Sequence, residues 1–251
     1  MLRIVTERLR QGYRTGAFPA REPVLPERFR GLPVLRPEKC PPGCNDCTGK
    51  CPFEAVSRSN GQIQIDLGRC LFCADCPACS HGGLNFGNDY RLAASRRQDL
   101  FFDGEELILA RALEKKMLSL FKRSLKLRQV SAGGCNGCEA DVNVLGTLVF
   151  DLGRFGIQFV ASPRHADGIL VTGPVTRNMH SALLATYEAV PEPKLVIAAG
   201  ACAIGGGPFK DSPEVNNGLA DILPVDMYIP GCPPHPYTTL DGLLRLLDKR
   251  G

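Results

Sequence analysis

Short apolar runs alternate with amphipathic stretches throughout the second half of the chain. The apolar runs predict buried strands at 127–132, 157–162, 168–173, 194–200 and 226–231. The stretches near 139–152, 176–190 and 238–248 have the spacing of helices. Strands that alternate with helices are typical of a mostly parallel sheet, so we expect a parallel α/β domain over residues 128–251.

A further amphipathic helix is predicted before this domain. Asp103 and Glu106 have the spacing of a capping box, which marks the start of a helix. Apolar residues then recur at helical spacing, at positions 109, 113, 117, 120 and 121. This helix belongs to a basic linker over residues 91–127. It either packs on its own domain or docks on a partner or a membrane surface.

Arginine is concentrated in two segments. Residues 1–36 contain eight Arg and three Glu, and residues 91–128 contain ten Lys and Arg against five Asp and Glu. The chain has no Trp and five Tyr, so these segments lack the interleaved aromatic side chains of a single-strand nucleic-acid platform. We therefore expect no nucleic-acid partner, and we treat residues 1–36 as a basic N-terminal arm.

Twelve cysteines indicate metal chemistry. No apolar stretch approaches the roughly 18 residues of a membrane span, and the first residues lack the apolar core of a secretory signal. We therefore expect a reducing cytoplasm, where closely spaced cysteines are metal ligands rather than disulfides. No phosphate-binding loop, dinucleotide fingerprint or catalytic-triad spacing occurs in the sequence.

Eight of the cysteines form two runs between positions 40 and 79. Bacterial two-cluster ferredoxins repeat C-x2-C-x2-C-x3-C-P, and the fourth Cys of each run binds the other cluster. This rule assigns one 4Fe–4S cluster to Cys40, Cys44, Cys47 and Cys79, and a second to Cys51, Cys70, Cys73 and Cys76. The spacings from Cys40 to Cys44 and from Cys76 to Cys79 depart from the pattern. Residues 37–90 are thus a predicted two-cluster ferredoxin-like domain, since structural zinc would need spaced cysteine pairs.

The other four cysteines each follow a predicted strand. Cys135 and Cys138 follow the first strand of the α/β domain, Cys202 follows 194–200, and Cys232 follows 226–231. Because the carboxyl ends of parallel strands meet at one edge, we expect the four thiols to converge there. A C-x-x-C pair alone is also typical of zinc or of a redox disulfide, but those uses leave Cys202 and Cys232 unexplained.

Several segments carry a family resemblance. They are GCNGCEAD, SPRHADGILVTGPVTRNMHSALL, the GAC ending at Cys202, and IPGCPPHP. Together they resemble the small electron-transfer subunit of group 4 membrane-bound nickel–iron hydrogenases, in particular the formate hydrogenlyase and hydrogenase-4 type. That subunit is related to the B subunit of respiratory complex I. The first half, with its leader RTGAFPAREPVLPERFRG, resembles the ferredoxin-like subunit of the same complexes, which is related to the I subunit of complex I.

The resemblance implies that this chain is a fusion of two subunits that are usually separate. The expected fold class is α/β and α+β, with an N-terminal two-cluster ferredoxin-like domain followed by a flavodoxin-like parallel α/β domain. The resemblance also implies a proximal 4Fe–4S cluster on Cys135, Cys138, Cys202 and Cys232, and therefore three 4Fe–4S clusters in all. The spaced pair at 135 and 138, where complex I has adjacent cysteines, favours a hydrogenase.

Four polar residues are candidates for tuning the potential of the proximal cluster or for relaying protons. They are Glu139, Asp141, Arg164 and His165. Asp141 stands where the related proteins usually have a longer Glu, which weakens a relay role for it. The alternative for Asp141 is an acid near a helix start that interacts with the helix dipole.

These features predict a subunit that relays electrons through three clusters to the nickel–iron catalytic subunit of a membrane-associated hydrogenase or formate hydrogenlyase-like complex. The alternative is a cluster subunit of a complex I-like dehydrogenase, or of a hydrogenase-related complex without nickel, that feeds a quinone or another acceptor. A free ferredoxin on an inert scaffold would leave the four C-terminal cysteines without a use.

The expected partners are the large catalytic subunit, an electron-donor subunit or ferredoxin, and integral-membrane subunits. The chain would be cytoplasmic and peripheral on the inner face of the cell membrane, held there through the complex. It would not be catalytic alone, because all twelve cysteines are assigned to clusters and none is left to bind nickel.

Overall fold

Short strands and helices make up the first half of the chain. This computed structural model describes residues 2–41, 43–59, 62–73, 76 and 81–250. The helices before residue 122 are α1 (Leu2–Gln11), α2 (Asp46–Lys50) and α3 (Lys115–Phe121), with 3-10 turns at Pro37–Lys39 and Arg97–Leu100. The strands are β1 (Pro33–Leu35), β2 (Val56–Ser59), β3 (Gln62–Asp66), β4 (Leu84–Phe86) and β5 (Phe101–Phe102). β2, β3 and β5 form an antiparallel sheet, and β1 pairs with β4, so this region has an α+β architecture.

A five-stranded parallel sheet organises the second half. Its strands are β6 (Leu125–Ser131), β7 (Ile157–Phe159), β8 (Gly168–Thr172), β9 (Leu195–Ala199) and β10 (Met227–Ile229). The helices are α4 (Gly137–Val144), α5 (Arg177–Ala189), α6 (Ala201–Gly205) and α7 (Pro236–Leu246), with 3-10 turns at Leu152–Phe155, Pro163–His165 and Gly207–Phe209. The sheet order β7-β6-β8-β9-β10 corresponds to 2-1-3-4-5 within this unit, which is flavodoxin-like. The predicted fold class is confirmed.

The central strands explain why the sequence forms this sheet. Every residue of β8 and β9 is buried, and both strands consist almost entirely of aliphatic side chains and alanine. Their side chains alternate between two hydrophobic clusters, so that Ile169 and Val171 belong to one cluster and Leu170 to the other. Alternation of this kind is the period-2 geometry of a strand whose two faces are both covered.

The two predicted domains share one hydrophobic cluster. Ile65 and Leu67, from the cysteine-rich region, belong to the same buried cluster as Val171 and Val196 of the parallel sheet. The backbone of Ala94 pairs with Tyr228 at the edge of β10, with N–H to oxygen distances of 2.8 and 3.0 Å. The cysteine-rich region is therefore packed directly against the sheet that carries the other four cysteines.

The predicted linker helix is wrong over its first half. Asp103 forms a turn, in which its Oδ1 accepts a hydrogen bond from the N–H of Glu105 at 3.2 Å, and helix α3 begins only at Lys115. The N–H of Ala110 donates to Ala93 O at 2.6 Å, and the N–H of Leu113 donates to Leu246 O at 3.0 Å. Because these amides bond to distant segments, the chain stays extended there despite its helical spacing.

The remainder of the linker packs on its own chain. Phe121 is buried at the end of α3, and Leu113 and Met117 pack against the same hydrophobic cluster. This arrangement corresponds to the first of the two interpretations of the linker, a helix packed on its own domain. Similarly, α4 ends at Val144 rather than near residue 152, and a separate 3-10 turn follows it.

Candidate metal centres

The four C-terminal cysteines meet at the carboxyl edge of the parallel sheet. Cys135 and Cys138 flank the start of α4 after β6, Cys202 lies in α6 after β9, and Cys232 follows β10. Burial raises the pKa of Cys202 to about 12, and the charges of Cys232 and Cys135 raise it further. Burial, followed by the charge of Cys202, also raises the pKa of Cys138. The thiols are therefore close neighbours, as the strand order predicts.

Two glycines bring the backbone against these sulfurs. A Cβ atom on Gly200 would lie 2.6 Å from Cys138 Sγ, and one on Gly207 would lie 2.8 Å from Cys202 Sγ. Both glycines also have positive φ, at 92° and 55°, which other residues adopt with strain. Any larger residue at these two positions would place a Cβ atom against a sulfur atom, so the backbone can come this close only where the residue is glycine.

The donor set fits an iron–sulfur cluster. The four thiols at this edge form a soft donor set, and soft thiolates select iron–sulfur clusters, zinc or copper(I). Burial and mutual repulsion raise the pKa of Cys138 and of Cys202, so a bound cationic group would be needed to hold these two as thiolates. Close backbone around the sulfurs is the environment that sets the potential of a 4Fe–4S cluster.

Gly200→Ala is expected to destroy the proximal site while leaving the rest of the fold intact. The new Cβ would overlap Cys138 Sγ, and the residue would remain at a φ of 92°. We expect loss of about four irons per chain, the content of one cluster. Gly153→Ala is the matched control in the α/β unit, since among the described residues a Cβ on Gly153 would meet only Asp151 Oδ1, at 3.9 Å. Equal iron content in the two variants would contradict the assignment.

Glu139 is held in a buried position beside the thiols. It is 7% exposed, and its Oε1 accepts hydrogen bonds from Ser131 Oγ and from Thr172 Oγ1, each at 2.6 Å. Burial acts to raise the pKa of Glu139, but the two hydroxyl groups outweigh it and lower the pKa below its usual value. Glu139 therefore places a fixed negative charge at the site, which favours a tuning role over a proton relay.

Asp141 faces a cavity next to Cys232. The cavity is also lined by Arg28 and His235, and burial raises the pKa of Asp141 above its usual value. Nδ1 of His235 accepts a hydrogen bond from the N–H of Tyr237 at 3.2 Å, which caps α7. Asp141 therefore retains its proton more readily than a free carboxyl group does. It lies in a cavity beside Cys232, where a proton could be exchanged.

Arg164 and His165 lie at the opposite edge of the sheet. They form a 3-10 turn that precedes β8, and the first residue of β8, Gly168, pairs with Leu127. β6 continues for four more residues before the thiols begin, about 13 Å at the ~3.3 Å rise of a strand. Both side chains are exposed. The structure does not bring these two candidates to the proximal site, because the turn that holds them lies at the amino end of β8.

A second set of thiols surrounds a cavity in the cysteine-rich region. Burial raises the pKa of Cys70 to about 12, and the charges of Cys76, Cys51 and Cys73 raise it further. The same four residues line one apolar cavity with Ile65. The N–H of Phe72 donates to Cys70 Sγ, and the N–H of Ala55 donates to Cys51 Sγ, each at 3.4 Å. These four thiols are the set that the ferredoxin rule assigns to one cluster.

The remaining predicted set is described only in part. Cys79 lies outside the described residues, whereas Cys47 is buried and Cys40 and Cys44 are half-buried. One ligand atom each from Cys44, Asp46 and His81 lie within 4.8 Å of one another. Asp46 Oδ2 lies 3.7 Å from Nε2 of His81. In this cysteine set, which has irregular spacing in the sequence, the carboxylate of Asp46 and the imidazole of His81 lie next to a predicted cluster ligand, Cys44.

The thiol set that contains Cys73 is near enough to influence the proximal set. Partial burial raises the pKa of Cys232, and the charges of Cys135 and Cys73 raise it further. Leu71 and Phe72 line the same cavity as Cys232. Cys73 is therefore an electrostatic neighbour of Cys232, although 159 positions separate them in the sequence.

Sequence reasoning missed the groups that position the candidate ligands. Ser131 and Thr172 are hydroxyl residues at the carboxyl ends of β6 and β8, a signal that could have marked them as polar contacts at the sheet edge. The role of Gly207 has no comparable signal, because it depends on a close approach to Cys202. Asp46 stands two residues from Cys44, but only the fold brings His81 to both.

The C-terminal half of the chain is similar to known proteins. Residues 135–246 match the family model described as NADH ubiquinone oxidoreductase, 20 Kd subunit. This match spans all four C-terminal cysteines and leaves residues 1–134 outside it. The probable membrane-bound hydrogenase subunit mbhJ of Pyrococcus furiosus is 46% identical over 140 residues, which cover 55% of this chain and 84% of that protein.

Two further relatives are similar over about the same share of the chain. Formate hydrogenlyase subunit 7 of Escherichia coli is 46% identical over 142 residues, covering 55% of this chain and 56% of that protein. The B subunit of the NADH-quinone oxidoreductase of Citrifermentans bemidjiense is 51% identical over 112 residues, covering 45% of this chain and 65% of that protein. The chain thus spans less than two thirds of either of these two relatives. With most of the Pyrococcus protein covered at 46% identity, the chain belongs to the family of the 20 kDa subunit of NADH ubiquinone oxidoreductase, which includes subunits of membrane-bound hydrogenases.

Proposed function

We propose that the chain is an electron-transfer subunit that binds three 4Fe–4S clusters and delivers electrons to a nickel–iron catalytic subunit. The observation that carries the proposal is the proximity of two thiol sets, in which the charge of Cys73 acts on Cys232 and its neighbours Leu71 and Phe72 line the cavity of Cys232. A bound 4Fe–4S cluster supplies one-electron transfer. The cysteine-rich region and the parallel sheet pack around one hydrophobic cluster, which would hold the two thiol sets at a fixed separation, as a relay requires.

The exposure of the proximal thiols indicates where a partner would bind. Cys135 and Cys232 are exposed, whereas Cys202 is buried. The site thus opens to the surface at the carboxyl edge of the sheet, where a large catalytic subunit could approach. In this proposal Cys135, Cys138, Cys202 and Cys232 hold the proximal cluster, and Glu139 holds a negative charge beside it.

The alternative acceptor is a quinone in a complex I-like assembly without nickel. The relatives include both hydrogenase subunits and the B subunit of NADH-quinone oxidoreductases, so the family admits both. The spaced pair Cys135-Asn-Gly-Cys138 favours the hydrogenase. An electron-donor subunit or ferredoxin, with entry through the cysteine-rich domain at 37–90, completes the proposed assembly.

Membrane association is proposed to be peripheral, on the inner face of the cell membrane. Across the described parts of the chain, no helix has both the length and the apolar character to cross a bilayer. Two of the relatives are named as subunits of a membrane-bound hydrogenase and a formate hydrogenlyase. Integral-membrane subunits of the complex would therefore provide the main attachment.

The proposal predicts about twelve irons and twelve sulfides per fully loaded chain, four of each for every cluster. Anaerobic iron and sulfide analysis, with redox-titrated EPR, measures the number. About eight irons in a fully loaded sample, or stoichiometric zinc, would overturn the three-cluster assignment.

The loaded chain alone should evolve no hydrogen from a reduced viologen, and activity should appear when the large subunit is added. Hydrogen evolution by the chain alone would contradict the relay role.

A further inference from the structure

Helix α1 presents apolar side chains to solvent. Every described side chain from residue 3 to residue 11 is exposed, and Ile4, Val5 and Leu9 are 75%, 58% and 79% exposed. The helix has ten residues, fewer than the ~12–15 residues that an isolated helix needs to be more than marginally stable in water. A surface outside this chain that covers the apolar side chains would therefore stabilise α1.

The apolar side continues beyond the helix. Val5 and Leu9 are four residues apart and share one side of α1. Tyr13 is 87% exposed just past the helix end, and Leu148, from the α/β unit, is 68% exposed. Tyr13 and Leu148 line one groove together with Arg8. The N–H of Gly16 donates to Val149 O at 2.8 Å, which anchors this segment to the α/β unit.

The charges around this apolar side are almost all positive. Residues 3–14 contain Arg3, Arg8, Arg10 and Arg14 against the single acid Glu7. Arg8 and Arg10 lie in the last turn of α1, and its first turn has no acid. Long Arg side chains can lay their methylene groups on apolar surface while the guanidinium reaches phosphate. Basic residues around a short apolar side, with a Tyr at its border, are typical of a helix that lies in a membrane interface.

We propose that α1, with Tyr13 and Leu148, binds directly to the surface of an anionic lipid bilayer. The positive charge complements anionic headgroups, and Ile4, Val5 and Leu9 enter the boundary between headgroups and acyl chains. This inference rests on the proposed membrane association and adds a lipid contact to it. It does not depend on the electron acceptor or on the number of clusters.

The first test uses tryptophan, which the natural chain lacks. Leu9→Trp in the full, cluster-loaded chain places one fluorophore on the apolar side of α1. Its emission should shift to shorter wavelength with vesicles of mixed phosphatidylglycerol and phosphatidylcholine, and brominated lipid should quench it. Val24→Trp is the matched control, at a position that is 98% exposed outside α1, and its emission should not shift. An unshifted Leu9→Trp spectrum would overturn the proposal.

The second test measures vesicle binding by co-sedimentation. Arg3→Gln/Arg10→Gln should weaken binding about 30-fold, since each cation near an anionic surface contributes about 1 kcal/mol. Val5→Glu/Leu9→Glu should abolish binding. The control Val24→Glu/Ile108→Glu adds the same charge at exposed apolar positions outside α1, and this variant should retain most of the vesicle binding. Equal loss in both glutamate pairs, or binding only when integral-membrane subunits are present in the vesicles, would overturn a lipid contact. Iron content should be unchanged in every variant, which separates this result from the cluster assignment.

Discussion

Cys232→Ser is expected to remove one cluster signal of three and to lower the iron content from about twelve to about eight per chain. Cys232 belongs to the thiol set at the carboxyl edge of the parallel sheet, whereas the other two predicted sets lie in the cysteine-rich region. The hydrophobic cluster that joins the two regions does not include Cys232. The fold and the other two clusters should therefore persist.

The reciprocal control is Cys51→Ser. Cys51 shares its cavity with Cys70, Cys73 and Cys76, so this variant should lose a different signal and keep the proximal one. Redox-titrated EPR of anaerobically purified protein distinguishes the two variants, and circular dichroism verifies that each is folded. If folded Cys232→Ser protein lost all three signals, or none, the division of the cysteines into separate sets would be wrong.

Asp241→Asn is expected to destabilise the fold by about 3 kcal/mol. Asp241 is 0% exposed in α7, with its Oδ2 at 2.7 Å from Arg245 Nε and its Oδ1 at 2.9 Å from Arg250 Nε. Burial raises the pKa of Asp241, and the charges of both arginines act against that rise. Removal of the carboxylate would leave two largely buried guanidinium groups without their main counter-charge.

The same cluster fastens the N-terminal arm to the α/β unit. Arg250 Nη2 donates to Tyr90 Oη at 2.8 Å, and Tyr90 Oη donates to Glu22 Oε2 at 2.7 Å. The guanidinium carbon of Arg250 also lies 4.7 Å from the centre of the Phe18 ring. Loss of Asp241 should therefore loosen the arm as well as α7, and proteolysis in residues 12–30 should become faster.

The matched control for this prediction is Asp248→Asn. Asp248 pairs with Lys122 at 3.0 Å on the surface, where both side chains are about half exposed. An exposed pair contributes about 1 kcal/mol or less. Anaerobic urea denaturation of the two variants compares their midpoints directly. Similar midpoints for Asp241→Asn and Asp248→Asn would show that the buried pair is not important for stability.

The sheet and the convergence of the proximal thiols could be predicted from local sequence. Aliphatic runs such as GILVT, 168–172, alternate along the chain with stretches of helical spacing, which indicates buried strands of a parallel sheet. Once the strands are parallel, residues that follow them must meet at one edge, which places Cys135, Cys202 and Cys232 together. The same rule does not place Arg164 and His165, because they follow β7 and also precede β8. They lie at the amino end of β8 because β7 ends opposite Leu127, the residue that pairs with Gly168 at the start of β8.

The conformation of the linker could not be predicted in this way. Its helical spacing is real, but the amides of Ala110 and Leu113 donate to Ala93 and Leu246 instead of forming a helix. Partners that lie far away in the sequence outweigh a local propensity of a few tenths of a kcal/mol per residue. The charge state of Glu139 has a similar origin, because Ser131 and Thr172 reach it from two different strands.

By itself, the sequence determined the class of fold, the parallel sheet and the convergence of the four C-terminal cysteines, because each depends on local patterning and on the geometry of parallel strands. Only the tertiary structure decided that the charge of Cys73 acts on Cys232 and that both regions share one hydrophobic cluster. It also decided that glycines at 200 and 207 admit the sulfurs. These features depend on how two regions of the chain pack together. That packing results from many contacts between residues that are distant in the sequence, so a local sequence pattern does not specify it.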